Sequence, residues 1–250
     1  AVLFSLLGES KASEYFSRMS VASHGPERDG GHTGNFCNIL WAMPGVAQSG
    51  PNATGAWMKE FGSWYFDLAR QWDGAFVHLG PPSMKKDSYA NWDCTGAYLL
   101  AYTMPLKNLW LTGKRKPLAP QIELQEAESL IRVGRGWNNK DRNSAYDSLN
   151  GDTLLEALGS WSPVVRERAA MAIGRRKSSP PLTAIVKLLC SNKLYEQLGA
   201  SQAIISLRGR GAAAVETLEK NLSSKDLWLR IKPAEALAAI GKPAMKTAPK

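Results

Sequence analysis

His32 and Cys94 occupy equivalent places in a partly hidden duplication, and both are side chains that ligate soft or borderline metals. The run Gly31-His32-Thr33-Gly34 leads to Ala42-Met43-Pro44, and Asp93-Cys94-Thr95-Gly96 leads to Thr103-Met104-Pro105. The Thr-Gly pairs lie 62 residues apart and the Met-Pro pairs 61, so a single deletion aligns the two copies. With Asp93 as a third ligand, this set would suit zinc with one coordination position left open for water or substrate. His24 and Asp29 precede His32 in a loop containing Gly25, Pro26 and Gly30, and could add a ligand or orient one. A second chemistry uses carboxylates. Glu27, Asp29 and Asp93 would share the same mouth, with Asp29 and Asp93 as the acid pair that glycosidic cleavage requires. Both chemistries compete with a plainer assignment, in which His32 and Asp93 start helices, Cys94 packs in a core and the loop acids are solvated. No close-spaced pair of Cys or His favours the metal.

The elements that must position these residues follow from the apolar pattern. Phe36–Trp41 and Tyr98–Tyr102 are apolar nearly all round, which predicts helices buried on every side. Between them, residues 53–71 place Trp57, Phe61, Trp64, Tyr65 and Leu68 at spacings of three and four, the mark of an amphipathic helix. Residues 10–20 read as the surface helix before them, and residues 2–7 as the end of an earlier buried one. The chain opens Ala1-Val2-Leu3-Phe4 without an initiator Met or a basic leader, so a missing N-terminal part is expected. Trp41, Trp92, Tyr98 and Tyr102 could line a lipid or sugar pocket, although core packing is the simpler use for aromatics at helical spacing.

Composition changes near residue 116. All six Phe, five of seven Tyr and six of nine Trp precede it. Residues 112–120 combine Gly113, Pro117 and Pro120 with three charges, which stops any helix. The expected domains are therefore 1–116 and 117–250.

The second half repeats. Trp161, Tyr195 and Trp228 recur at separations of 34 and 33 residues, as do Ala169, Ala203 and Ala236, and Ile173, Leu207 and Ile240. Leu155, Leu189 and Leu222 do the same one helix earlier. Each unit reads as two short helices joined by a turn, with Gly174 and Gly241 as helix stops, the small Ala letting helices approach and the aromatics filling space between units. A degenerate unit is expected at 121–134, and Pro233 should kink the last helix.

The period, together with Arg166-Glu167-Arg168-Ala169-Ala170, resembles HEAT repeats over about residues 150–245. The alternation of inner and outer helices resembles the α/α toroid of terpene cyclases and protein prenyltransferase β subunits. Gln71-Trp72-Asp73-Gly74-Ala75-Phe76 looks like a relaxed form of their Gln–Asp-Gly–Trp signature. Residues 31–51 with 91–105 are similar to a family of uncharacterised bacterial proteins that join such a toroid to HEAT repeats. The resemblance implies an all-α chain, a partial α/α toroid followed by a HEAT-like helical solenoid. It also implies a zinc site at inner-helix mouths and, from longer members with an export signal and a PDZ-like domain, export from the bacterial cytoplasm. Roughly five helices are visible where a closed toroid has twelve, Asp93 and Cys94 are adjacent rather than one residue apart, and no aspartate-rich cyclase motif appears.

Length and charge bound the remaining choices. The 250 residues carry 31 basic and 22 acidic side chains, with 44% hydrophobic residues, which excludes a wholly disordered chain. No apolar run is long enough for a membrane span. Residues 1–116 hold 11 basic and 9 acidic side chains, and residues 117–250 hold 20 and 13. The second-half cations alternate with acids at helical spacing, so a solvated face and a protein partner are expected, rather than nucleic acid. Cys37, Cys94 and Cys190 are too few and too far apart for a disulfide framework.

Overall fold

The computed structural model describes residues 1–24, 35–79, 91–106, 116–134 and 144–247. It is all-helical, and among the described residues the extended backbone amounts to two isolated antiparallel bridges. The chain forms two compact units, Ala1–Arg142 and Asn143–Lys250.

In the first unit, α1 (Val2–Leu7) and α2 (Ser10–Ala22) are joined by Gly8, whose φ of 83° is the left-handed turn that glycine adopts without strain. α2 lies against α3 (Asn35–Ala47), which carries Pro44 within it. Their contact is polar and close. The Ser17 hydroxyl donates to the Gly45 carbonyl at 2.7 Å and lies 2.6 Å from the Ser49 hydroxyl. α4 (Pro51–Phe61) follows, anchored by buried Trp57, whose Nε1 donates to the Ser23 hydroxyl at 2.8 Å.

After Phe61 the helix winds through a π-turn, Gly62–Asp67, and this changes which aromatics face inward. The periodicity set Trp64 and Leu68 on the same face as Trp57 and Phe61. With the wider turn Tyr65 is in the core as the periodicity expects, Phe66 joins it, and Trp64 and Leu68 are left exposed. α5 (Thr95–Thr103) brings Tyr98 and Ala101 against them. Tyr98 meets the rings of Phe66 and Phe76 at centroid distances of 5.1 and 5.6 Å. The expectation of helices buried on every side is corrected here. Met43 and Val46 of α3 are buried, but Trp41 is 59% exposed, and Leu99 on α5 is exposed as well.

The first unit continues beyond the expected boundary at 116. Ile122 donates its amide to the Ser49 carbonyl, and α6 (Leu124–Gly134) packs on α2 and α4. Gly134 makes the approach feasible, since a Cβ there would lie 1.7 Å from the Ala22 carbonyl oxygen. Residues 121–134 therefore serve the first unit, not a degenerate repeat of the second.

The second unit opens with α7 (Ser144–Asp147), whose Asp147 carboxylate receives two N–H groups of Arg175. Three helical hairpins follow: α8 (Gly151–Ala157) with α9 (Pro163–Arg175), α10 (Leu182–Leu189) with α11 (Leu194–Leu207), and α12 (Val215–Asn221) with α13 (Trp228–Ile240). The second helices pack side by side, α9 on α11 and α11 on α13. Ala169, Ala203 and Ala236 are fully buried, as small residues at such a contact must be.

Turn hydrogen bonds set the register of the first helices. Ser160, Ser191 and Ser224 each accept, through the hydroxyl, from the amide two residues later. Arg166, Gln197 and Arg230, each six residues beyond its serine, donate to that serine's carbonyl. Those separations are 31 and 33. Leu154, Ile185 and Leu218, fully buried, are accordingly the equivalent core positions, while Leu155 is half-buried and Leu222 exposed. The sequence register thus holds for the second helices and slips by about one helical turn for α8. Gly241 is a stop with φ of 76°, but Gly174 lies inside α9. A Cβ at Gly174 would sit 2.7 Å from the Ser206 carbonyl oxygen, so close approach explains that glycine. α13 runs unbroken through Pro233.

Candidate functional site

Of the predicted site residues, Asp93 and Cys94 lie at the start of α5. Residues 69–71, 75–78 and 91–94 run antiparallel, with bridges pairing Arg70 to Phe76 and Val77 to Asp93. The turn 71–75 connects the first two: Gln71 exchanges backbone bonds with Gly74 and Ala75, Gly74 has φ of 88°, and the Asp73 carboxylate accepts the Ala75 amide. The Gln–Asp-Gly run is therefore a tight reversal at the helix end. The His78 amide donates to the Trp92 carbonyl, and the Cys94 amide to the Phe76 carbonyl. Alternation along an extended chain puts adjacent residues on opposite faces.

That alternation separates Asp93 from Cys94. Asp93 is exposed, and its carboxylate accepts the Thr95 amide at 2.8 Å, a short loop before the helix. The hydrogen bonds from the Thr95 side chain and backbone hold its carboxyl below the ordinary aspartate range. Cys94 is buried against Phe76 and Tyr98, and its thiol donates to the Trp92 carbonyl at 3.3 Å. Burial pushes that thiol up to about 11, partly opposed by the His78 amide and reinforced by the charge of Asp93.

His24, at the end of α2, is buried. His32, Asp29 and Glu27 lie outside the described residues, as does the side chain of Cys37. The two described members of the proposed metal set nearest in sequence thus do not converge. Among the described residues no group of three His, Cys, Asp or Glu is placed to hold a metal. His78, also buried, sits on the same face of the extended segment as Cys94, a position that loop residues without periodicity gave no means of finding.

Of the four aromatics expected along the inner face, Tyr98 is core, Trp41 and Trp92 are exposed, and Tyr102 is half-buried. Tyr102 meets Phe66 edge-on and Phe76 at a tilt, and donates its hydroxyl to Asp67 at the end of the π-turn. Burial first, then that hydrogen bond, pushes the Tyr102 phenol up to about 12. Both Tyr98 and Tyr102 are therefore neutral hydrogen-bonding groups across the physiological range.

The raised thiol fixes a pH dependence. A group that binds its proton more tightly when folded contributes fully below its unfolded value of 9.0 and loses that contribution as pH climbs toward 11. The urea midpoint should fall between about pH 8 and about pH 10.5, and Cys94→Ala should flatten the decline. A midpoint equally steep in the variant would place the effect elsewhere. Exposed Cys190 should react with maleimide in the native protein near pH 8, and Cys94 should not.

Residues 1–113 match DUF6288, a domain of unknown function. No curated protein and no solved structure matches the chain. No described helix is long and apolar enough to cross a membrane.

Proposed function

We propose that this chain is a binding module. Its second unit is a HEAT-like solenoid that presents a helical-repeat surface to a protein partner, and its first unit is an arc of an α/α toroid. The observation that carries the reading is the in-register stacking of the second helices through fully buried Ala169, Ala203 and Ala236. Such stacking builds a continuous surface whose exposed positions are not needed for the core. The exposed apolar sides of Trp41 and Leu99 fit helices whose inner faces a larger toroid would enclose.

The charges favour a protein over nucleic acid. Lys193 pairs with Glu196, Lys220 with Glu216, Lys232 with Glu235 and Arg175 with Asp147, so acids are interleaved with the cations rather than leaving one continuous basic track. A polyanion needs unpaired cations along one track. A zinc-dependent enzyme acting on a lipid-like or glycan substrate is the competing reading, and nothing in the described geometry favours it over the binding module.

Site-specific photo-crosslinking separates these in one set of measurements. A photoreactive amino acid placed in turn at exposed positions of residues 1–113 and 150–245 of the full chain, expressed in its own host, should join the second unit to one recurring protein. Crosslinks confined to residues 1–113, together with near-stoichiometric zinc in purified chain that His32→Ala and Cys94→Ser each remove, would overturn the binding-module reading.

A further inference from the structure

The turn edge of the second unit has a chemistry of its own. At the start of α11 and α13, Leu194–Tyr195 and Leu227–Trp228 occupy the same position relative to the turn serines, three and four residues on. Sequence reading placed the aromatics between units. Tyr195 is instead 38% and Trp228 58% exposed, because each precedes the packed part of its helix. The guanidinium of Arg166, from the hairpin before, lies 4.9 Å from the centre of the Tyr195 ring. The two apolar pairs therefore recur at one position of the second and third hairpins, whereas the first hairpin has Pro163 and buried Val164 there.

The charge beside those pairs is positive. Arg230 is anchored through Nη1 to the Ser224 and Lys225 carbonyls, and no described carboxylate pairs with it. Lys225 is exposed beside it. Asp226 keeps its charge while it accepts the Leu229 amide at the helix start, and Glu196 is paired with Lys193. Among the side chains named here, Arg166, Lys193, Lys225 and Arg230 thus outnumber the acids four to two. Apolar pairs flanked by such cations select an acidic, partly apolar ligand.

The spacing of the pairs narrows the ligand's shape. Packed helices sit about 8–10 Å apart. Three residues of extended chain span about 10 Å, and one three-residue turn of polyproline II spans about 9 Å. A helix repeats its face every about 5.4 Å per turn and matches that interval less well. Side chains three residues apart in an extended segment would meet consecutive apolar pairs.

We propose that this edge binds an extended acidic segment of a protein partner, with two apolar residues three positions apart. Leu194–Tyr195 and Leu227–Trp228 take the apolar side chains, and Arg230 with Lys225 takes a carboxylate. This rests on the binding-module reading and adds the partner's chemistry and its location.

The test is fluorescence anisotropy of the full chain with a labelled peptide of about fifteen residues repeating Glu-Pro-Leu. It should bind, and the same peptide with Lys for Glu should bind at least about tenfold more weakly. Trp228→Ala and Arg230→Glu should each weaken the Glu peptide about tenfold, while Trp72→Ala, an exposed aromatic of the other unit, changes nothing. Trp228 and Arg230 are exposed, and circular dichroism verifies that both variants keep the helical fold. Equal affinity for the Glu and Lys peptides, no effect of either variant, or tighter binding of a single-stranded RNA of similar length would each overturn the proposal. Crosslinks to a protein elsewhere on the second unit but none from positions 194, 195, 227 and 228 would also overturn it, and would leave the binding-module reading standing.

Discussion

Leu189→Ala should destabilise the second unit by about 2–5 kcal/mol, the range for removing a fully buried leucine from a packed site. Leu189 ends α10 with no exposed surface, and its carbonyl accepts the side-chain amide of Asn221 from the following hairpin. The cavity would open where one hairpin supports the next, so neighbours cannot close it without shifting a helix pair. Leu155→Ala is the discriminating control. Sequence period alone equates the two leucines, whereas the turn hydrogen bonds make Leu158 the equivalent of Leu189 and leave Leu155 half-buried. Leu155→Ala should therefore cost clearly less in a urea titration. Equal losses, or a loss at Leu189 below about 0.5 kcal/mol, would mean that the stacking assigned to these hairpins is wrong.

The second helices were legible because their constraint is local and repeated. A small residue where two helices touch, and aliphatics one and two turns on, leave a period that survives other sequence change. The first helices were less so, because the stretch from turn serine to packed alanine is nine residues in the first hairpin (Ser160 to Ala169) and twelve in the other two, and aligning Trp161 with Tyr195 hides that missing turn. Similarity of residue type guided the alignment, but backbone hydrogen bonds at Ser160 and Ser191 decide the geometry. In the first unit, the helix at 51–61 was evident from Trp57 and Phe61, but nothing in a 3.6-residue pattern announces a π-turn. Its effect, turning Phe66 in and Trp64 out, could be seen only in three dimensions. The mouth residues fared similarly. Asp93 and Cys94 suggested convergence as ligand types, while the bridge of Val77 to Asp93 imposes an alternation that parts them.

Gly199→Ala should destabilise the second unit by about 1–3 kcal/mol, although alanine is the better helix former by about 1 kcal/mol. Gly199 sits within α11, where a Cβ would lie 1.9 Å from the Leu158 carbonyl oxygen and 2.7 Å from its carbon. Both atoms are backbone, held by the turn that carries Ser160, so no side-chain rotation relieves the clash. Either α11 moves away from the end of α8, or the turn deforms and loses the Ser160 and Arg166 hydrogen bonds. Gly55→Ala supplies the opposite sign. Gly55 lies in α4 with nothing within 4 Å of its would-be Cβ, so there only helix propensity acts and the first unit should gain about 0.5–1 kcal/mol. The two units form separate compact bodies, so calorimetry should show each substitution moving its own transition, Gly199→Ala downward and Gly55→Ala upward. Stabilisation by Gly199→Ala would require Leu158 and Gly199 to lie further apart than described, and would remove the close contact between the first two hairpins on which their register depends.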